Sequence, residues 1–248
     1  KIAVGEYDTG VSCIQKSMEF AETLGEKKML LNNLKQMIFY GIQVEDMEQV
    51  HTYVQRGLQM LEAEEKNSEE KGVFIRLKGW YLLHKGNYQE AEQVLWEAME
   101  IFRNCVSDRE YFSMSIAACQ GYLGDLSRAK GDFEKAREYY QAAIELGTGK
   151  VVTNGLGQFY SSMGQVLYLE KQYEEADEYL EKAVSCLNSH GYYWGLERAL
   201  AYRAMLLWET GKQEEAKLCY EESWKISHKI KNPTTISILK QVENYINH

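Results

Sequence analysis

The segment at 147–157, GTGKVVTNGLG, contains the residue types of a nucleotide-binding loop. It holds four glycines and a Gly-Lys pair, and glycine-rich loops let main-chain amides approach phosphate closely. A phosphate-binding loop would need glycine at position 144 and a hydroxyl residue at position 151, but Ile144 and Val151 stand there. A dinucleotide loop would follow a β-strand, whereas the preceding sequence favours helix. We therefore interpret the segment as a hinge between repeats, with Gly147 ending one helix and Asn154 capping the next.

The other reactive residue types form no recognisable catalytic or metal-binding pattern. The sequence contains no GxxxxGK[ST], HExxH or GxSxG motif. The five histidines lack the spacing of metal ligands, and the five cysteines include no CxxC pair. Carboxylate pairs such as Glu174–Glu175 favour the start of a helix and are expected to face solvent. The sequence therefore predicts no enzymatic activity, no cofactor and no metal.

The composition of the 248-residue chain favours helix, because it has a single proline and is rich in Leu, Glu, Ala, Lys and Gln. The net charge is −9 and no basic block is present, which argues against direct nucleic acid binding. No apolar run reaches bilayer length and no signal peptide is evident. The scattered cysteines suit a reducing compartment. We predict an all-α cytoplasmic protein that binds no membrane.

A pattern of turn, aromatic and small residues recurs six times along the chain. In GDFEKAREYYQAAIELG, at 131–147, an aromatic residue lies two positions after the first glycine and alanine lies five after it. A small–large pair follows at twelve and thirteen positions after that glycine. The copies are 40, 41, 45, 40 and 40 residues apart and begin at six positions that we call the anchors: Gly5, Glu45, Gly86, Gly131, Lys171 and Gly211. Such self-similarity is typical of a helical repeat protein.

Small residues also stand seven positions before four anchors, at Gly79, Gly124, Gly164 and Ala204. Because glycine is unfavourable inside a helix, these positions predict close contact between helices. The pattern resembles the tetratricopeptide repeat (TPR) over essentially the whole chain. The segments that carry the resemblance are LKGWYLLHKGNYQEA, YLGDLSRAKGDFEKA and SMGQVLYLEKQYEEA. It departs from the family in lacking the proline near the end of the second helix and in its period of about 40 residues. This longer form resembles the sensor domains of bacterial maltose-regulator-like transcription activators and related signal-transduction ATPases, and the peptide-binding domains of Gram-positive quorum-sensing receptors.

The TPR resemblance implies an all-α, right-handed superhelix of about six antiparallel helix pairs in a single domain over 1–248. Second helices are expected to start near residues 5, 45, 86, 131, 171 and 211, and a capping helix to occupy about 233–247. The first helix of the first pair would precede the first anchor and is mostly missing. We therefore expect the chain to be a fragment of a longer protein, with its first repeat truncated.

In TPR proteins the first helix of each pair lines a concave surface, and the repeat register projects sixteen residues onto it. The set mixes aromatic, amide and arginine side chains, of which aromatics and arginines often anchor binding surfaces. Its members are Asn32, Lys35, Gln36, Phe39, Arg76, Trp80, His84, Asp125, Arg128, Gln158, Ser161, Gln165, Tyr168, Arg198, Tyr202 and Trp208. The aromatic members could equally pack between helices, and the arginines could pair with Asp125 or Glu209 instead of a ligand.

The favoured function is a non-catalytic scaffold that holds a peptide or protein partner in this concave groove. It would be the sensor or interaction region of a bacterial signalling or transcription-regulatory protein. One alternative is a small-molecule effector domain of a multidomain regulator, with a pocket between Trp80, Tyr168 and Tyr202. Another is self-assembly, in which a homodimer buries the open apolar face of the truncated repeat.

Overall fold

The computed structural model describes residues 6–62, 68–105, 109–148, 154–189, 191 and 193–246. These residues form twelve α-helices and no β-strand, which confirms the all-α prediction. The helices are α1 (Tyr7–Leu24), α2 (Lys27–Val44), α3 (Met47–Met60), α4 (Glu69–His84), α5 (Tyr88–Asn104), α6 (Arg109–Ala129), α7 (Phe133–Gly147), α8 (Asn154–Leu169), α9 (Tyr173–Ser189), α10 (Leu196–Glu209), α11 (Gln213–Ile230) and α12 (Pro233–Ile246). None of them, within the described ranges, is long and apolar enough to cross a membrane.

The helices pack as sequential pairs, as expected of a TPR fold. The first helix of a pair carries an even number and the second an odd number, so that α4 packs on α5, α8 on α9 and α10 on α11. The chain divides into two compact units, Glu6–Tyr122 and Leu123–His248, with the boundary inside α6. The expectation of one domain over the whole chain stays a prediction.

The backbone conformation of the anchors explains where each second helix begins. The five anchors within the described residues all adopt positive φ, and a helix starts two residues after each of them. Their φ angles are 56° at Glu45, 77° at Gly86, 80° at Gly131, 62° at Lys171 and 82° at Gly211. This left-handed conformation costs a residue with a side chain about 1–2 kcal/mol but is easily adopted by glycine. The repeat therefore favours glycine at the anchor.

The glycines seven positions before three anchors lie against large side chains of the paired helix. A Cβ atom at these positions would come within 2.5–2.7 Å of a ring or branched carbon. The pairs are Gly79 with Leu95, Gly124 with Tyr140, and Gly164 with Leu180. All three large partners are fully buried. The predicted close helix contact is confirmed.

The predicted capping helix is α12, which begins at Pro233 and packs against α10 and α11. Asn232 caps it, because its Oδ1 accepts a hydrogen bond of 2.9 Å from the main-chain N–H of Thr235. Leu239 and Val242 are fully buried in a cluster with residues of α10. The helix thus covers the apolar side of the last pair.

The glycine-rich segment follows α7, which ends at Gly147, and precedes α8, which begins at Asn154. The end of α7 falls at Gly147, as the sequence predicted, whereas Asn154 is the first residue of α8 and its predicted role as a cap stays a prediction. Residues 149–153 lie outside the described residues, so the interpretation of the segment as a hinge stays a prediction.

Candidate binding surface on the first helices

The predicted groove residues of α2 are mostly accessible. Asn32 and Gln36 are exposed and Phe39 is half-buried. Lys35 forms an ion pair with Glu70 of α4, with 2.8 Å between Nζ and Oε2. Its ammonium group therefore links two successive first helices within the unit Glu6–Tyr122.

On α4 the predicted residues make contacts with protein groups. Trp80 is only 6% exposed, and its ring stacks on that of His84 with 3.8 Å between the centroids. The guanidinium of Arg76 lies 5.9 Å from the centre of the Tyr122 ring, a cation–π arrangement. Its Nε is buried and has no hydrogen-bond partner among the described residues. Trp80 thus contributes mainly to packing, while Arg76 is held by an aromatic face.

In the unit Leu123–His248, Asp125 and Arg128 of α6 join a buried tyrosine of α7. Tyr140, which is fully buried, donates a hydrogen bond of 2.8 Å to Oδ1 of Asp125. Arg128 Nη2 lies 3.4 Å from the same oxygen, forming an ion pair one helical turn apart. Burial, together with the charge of Asp125, raises the pKa of Tyr140 well above its usual value. The phenol therefore stays protonated and remains a donor.

Two predicted residues of α8 lie in the core. Ser161 is fully buried and Gln165 is 4% exposed. Gln165 Nε2 donates to Ser161 Oγ over 3.1 Å, so the two side chains satisfy each other within one helix. The helical spacing of four residues that projected both onto one face also allows this mutual hydrogen bond.

Gln158 of α8 and Arg198 of α10 are brought together although forty positions separate them. Arg198 Nη2 donates to Gln158 Oε1 over 3.1 Å, and Gln158 Nε2 donates to the carbonyl oxygen of Trp194 over 2.9 Å. Both side chains are half-buried. Gly195 adopts positive φ, and a Cβ atom there would lie 1.7 Å from Gln158 Nε2. Only glycine leaves room for this bridge.

Further along the same two helices, Tyr168 and Tyr202 contact edge to face, with 6.1 Å between ring centroids. Tyr168 also donates to Oε1 of Glu209, and Tyr173 donates to Oε2, each over 2.6 Å. Burial and the hydrogen bond to Glu209 raise the pKa of Tyr168. Trp208, the last predicted residue of α10, is half-buried. We call Gln158, Tyr168, Arg198 and Tyr202 the α8–α10 surface.

A buried acid that was not predicted from the sequence lies beside this surface. Glu197 of α10 is 2% exposed, and burial raises the pKa of its carboxyl group from 4.5 to about 7. Arg198 and the main-chain amides at the start of α10 oppose that rise. Within the part of the chain that the structure describes, its Oε2 has no hydrogen-bond partner, whereas its carbonyl oxygen accepts from Ser223 of α11 over 2.5 Å. The signal in the sequence is weak: Glu197 stands at a position where the other copies of the repeat have small or apolar residues.

Two other contacts of the α8–α10 surface follow recognisable sequence signals. Tyr173 occupies the aromatic position two residues after its anchor, and Glu209 stands two residues before the next anchor. Glu209 was expected to pair with arginine. Its actual partners are the two tyrosine hydroxyls, which come from α8 and α9.

Two surface depressions lie elsewhere on the described residues. One surrounds the start of α5 at residues 86–90 and Gln93, and the other lies between α8 and α9, beside Tyr160 and Cys186. Neither contains a predicted groove residue. The small-molecule pocket suggested by the sequence stays a prediction.

Tetratricopeptide-repeat models match residues 78–104, 122–146 and 156–185. Each matched segment contains parts of a first helix and the second helix paired with it. The chain therefore contains tetratricopeptide repeats, which supports its assignment to the tetratricopeptide-repeat superfamily. Sequence comparison finds no significant match among curated proteins.

Solved structures share the fold of this TPR protein at low sequence identity. A Rap protein complexed with competence and sporulation factor has a TM-score of 0.71 at 14% identity, and 89% of this chain covers 62% of that one. PlcR of Bacillus thuringiensis, in complex with the peptide PapR7 and DNA, has a TM-score of 0.70 at 12% identity, with coverages of 88% and 74%. A signal-transduction ATPase with a TPR sensor from Pyrococcus horikoshii has a TM-score of 0.58 at 21% identity, with coverages of 88% and 33%. The TPR chain thus spans less than two thirds of the Rap protein and of the ATPase.

Proposed function

We propose that this TPR chain is a non-catalytic scaffold that binds a peptide or protein partner through its first helices. It would act as the sensor or interaction region of a bacterial signalling or transcription-regulatory protein. The observation that carries the proposal is the α8–α10 surface, where two half-buried polar groups and two tyrosine rings line successive first helices. Such a mixture is typical of protein-binding surfaces.

The chemistry of this surface suits a peptide. Gln158 offers an amide, which pairs with main-chain groups, and Arg198 offers a guanidinium, which prefers a carboxylate or carbonyl oxygen. In this structure Arg198 donates a hydrogen bond to the neutral amide oxygen of Gln158. A ligand carboxylate would be a stronger acceptor than that amide, so binding could redirect the guanidinium without unfolding the helix pair. The rings of Tyr168 and Tyr202 would contact apolar side chains of the ligand.

The similar folds support a binding role. Among them, one Rap protein is complexed with competence and sporulation factor and PlcR is complexed with the peptide PapR7. At identities of 14% and 12%, the similarity is one of fold. The peptide-binding role of these two proteins is attributed to this chain only as part of the proposal.

Selection of peptides from a random display library, followed by calorimetry, tests the proposal. Tyr202→Ala should lower the affinity of the selected peptides about tenfold or more, as expected of an aromatic anchor. The control is Tyr179→Ala, at a half-buried tyrosine of the second helix α9, which should leave affinity within about twofold. Equal affinities for the wild type and Tyr202→Ala would refute binding at this surface.

A further inference from the structure

Helix α1 carries an exposed apolar face near its C-terminal end. Phe20 is 66% exposed and Leu24 is 69% exposed. Met29, at the start of α2, is 42% exposed, so three of the seven large exposed hydrophobic residues in the described ranges lie between positions 20 and 29. Concentrated exposure of this kind marks an interaction surface more often than scattered single residues do.

The repeat register shows that this exposure is unusual. Phe20 lies fifteen positions after its anchor, and the equivalent residues of the other five copies are all buried or half-buried. They are Met60, Ile101, Leu146, Cys186 and Ile226. Leu24, nineteen positions after the same anchor, corresponds to Ile230 of α11, which is fully buried. Phe20 therefore occupies a position that the repeat normally covers.

The later repeats show what covers this position and the position after it. In the pair α4–α5, a Cβ atom on Gly72 would lie 3.1 Å from Ile101 and 2.8 Å from Phe102. In the pair α8–α9, a Cβ atom on Gly157 would lie 2.6 Å from Leu187, which is sixteen positions after its anchor. In both pairs the covering element is a first helix whose glycine allows close approach.

The same first helices carry a second glycine seven positions later. Gly79 of α4 lies against Leu95, nine positions after its anchor and fully buried. The residue of α1 at that position is Ile14, which is only half-buried. Two positions of α1 that meet glycines in the later pairs are thus less covered than their equivalents.

We infer that the face of α1 formed by Ile14, Phe20 and Leu24 is a docking site for an amphipathic α-helix with small residues seven positions apart. The occupant would lie antiparallel to α1, as α4 lies against α5. A second α1 fits less well, because Gly10 and Ala21 are already buried and two such faces would meet large residue against large residue. This docking site is separate from the α8–α10 surface and does not depend on it.

A stapled peptide with the sequence of residues 69–84 serves as the probe, since it contains both glycines of α4. Fluorescence anisotropy should show that it binds the full chain and that Phe20→Glu lowers the affinity at least tenfold. Leu218→Glu is the matched control, because Leu218 is equally exposed, at 67%, but lies on α11. A peptide with both Gly72→Leu and Gly79→Leu should bind at least tenfold more weakly, and circular dichroism verifies that each protein variant is folded.

Failure of the peptide to bind, or equal binding to the wild type and Phe20→Glu, would overturn the inference. The inference would also be overturned if the chain formed a homodimer that Phe20→Glu dissociates and the peptide did not bind. The occupant of the site would then be a second copy of the chain. The variant Arg198→Met, which alters the α8–α10 surface, should bind the probe normally. That result separates this inference from the proposed function.

Discussion

Arg198 on α10 donates a hydrogen bond to Gln158 on α8, and the same glutamine donates to the carbonyl oxygen of Trp194. The amide side chain of Gln158 thereby connects α8 both to α10 and to the turn that precedes α10. The repeat aligns successive first helices, and the bridge places polar groups where these aligned helices meet.

The bridge predicts energetic coupling between Gln158 and Arg198. Gln158→Leu and Arg198→Met should each lower the free energy of unfolding, and the double variant should lose less than the sum of the two. The expected coupling is about 0.5–1.5 kcal/mol, the usual net value of a side-chain hydrogen bond. Urea unfolding of the four proteins measures it. Strictly additive losses would show that the bond contributes nothing to the folded state.

The buried carboxyl group of Glu197 predicts that the free energy of unfolding falls as pH rises from 4.5 to about 7. Burial raises the pKa of its carboxyl group from 4.5 to about 7, so between these values the folded state binds more protons than the unfolded state. The stabilisation is fully present below pH 4.5 and is lost as pH rises to about 7. This contribution to the free energy of unfolding is about 3 kcal/mol, because each unit of pKa difference corresponds to about 1.4 kcal/mol.

Glu197→Gln tests this dependence, because the amide keeps the shape of the side chain but does not titrate. Urea unfolding at several values between pH 4 and pH 8 should give a wild-type stability that declines over this interval relative to the variant. Parallel pH profiles for the two proteins would show that Glu197 does not titrate on folding.

The positive φ of the anchors predicts opposite effects for two reciprocal substitutions. Lys171→Gly should stabilise the protein by about 0.5–1 kcal/mol, because it relieves the left-handed strain of a residue with a side chain. Gly131→Lys should destabilise it by about 1 kcal/mol through the same strain. A Cβ atom on Gly131 would meet no atom of the described residues within 4 Å, so the expected effect comes from the backbone conformation. Thermal unfolding of both variants is the measurement, and a shift of both in the same direction would contradict the explanation.

Much of the fold was predictable because each repeat position has a local physical reason. The anchors adopt left-handed backbone, which explains the glycines at Gly86, Gly131 and Gly211. The glycines before them meet large residues of the paired helix. Both requirements act between residues close in sequence, so a single chain reveals them without knowledge of how distant repeats are arranged.

The candidate site was harder to predict, because its contacts depend on how neighbouring repeats align. The register placed Ser161 and Gln165 on the same face as Gln158, but both are buried, and Gln165 bonds to Ser161 instead of facing outward. The partners of the charged groups were equally hard to predict: Arg128 pairs with Asp125 of its own helix, whereas Arg198 donates a hydrogen bond across repeats to an amide. Helical periodicity gives the direction of a side chain, but its partner depends on the next helix.

The most direct test of the central claim is to locate a bound peptide on the chain. A library-selected peptide carrying a photoreactive amino acid is crosslinked to the full chain, and the attached residues are identified by mass spectrometry. Binding at the α8–α10 surface predicts crosslinks to first-helix residues around Tyr168 and Tyr202, which are lost in competition with unlabelled peptide. Competable crosslinks confined to the second helices α9 and α11 would contradict the claim.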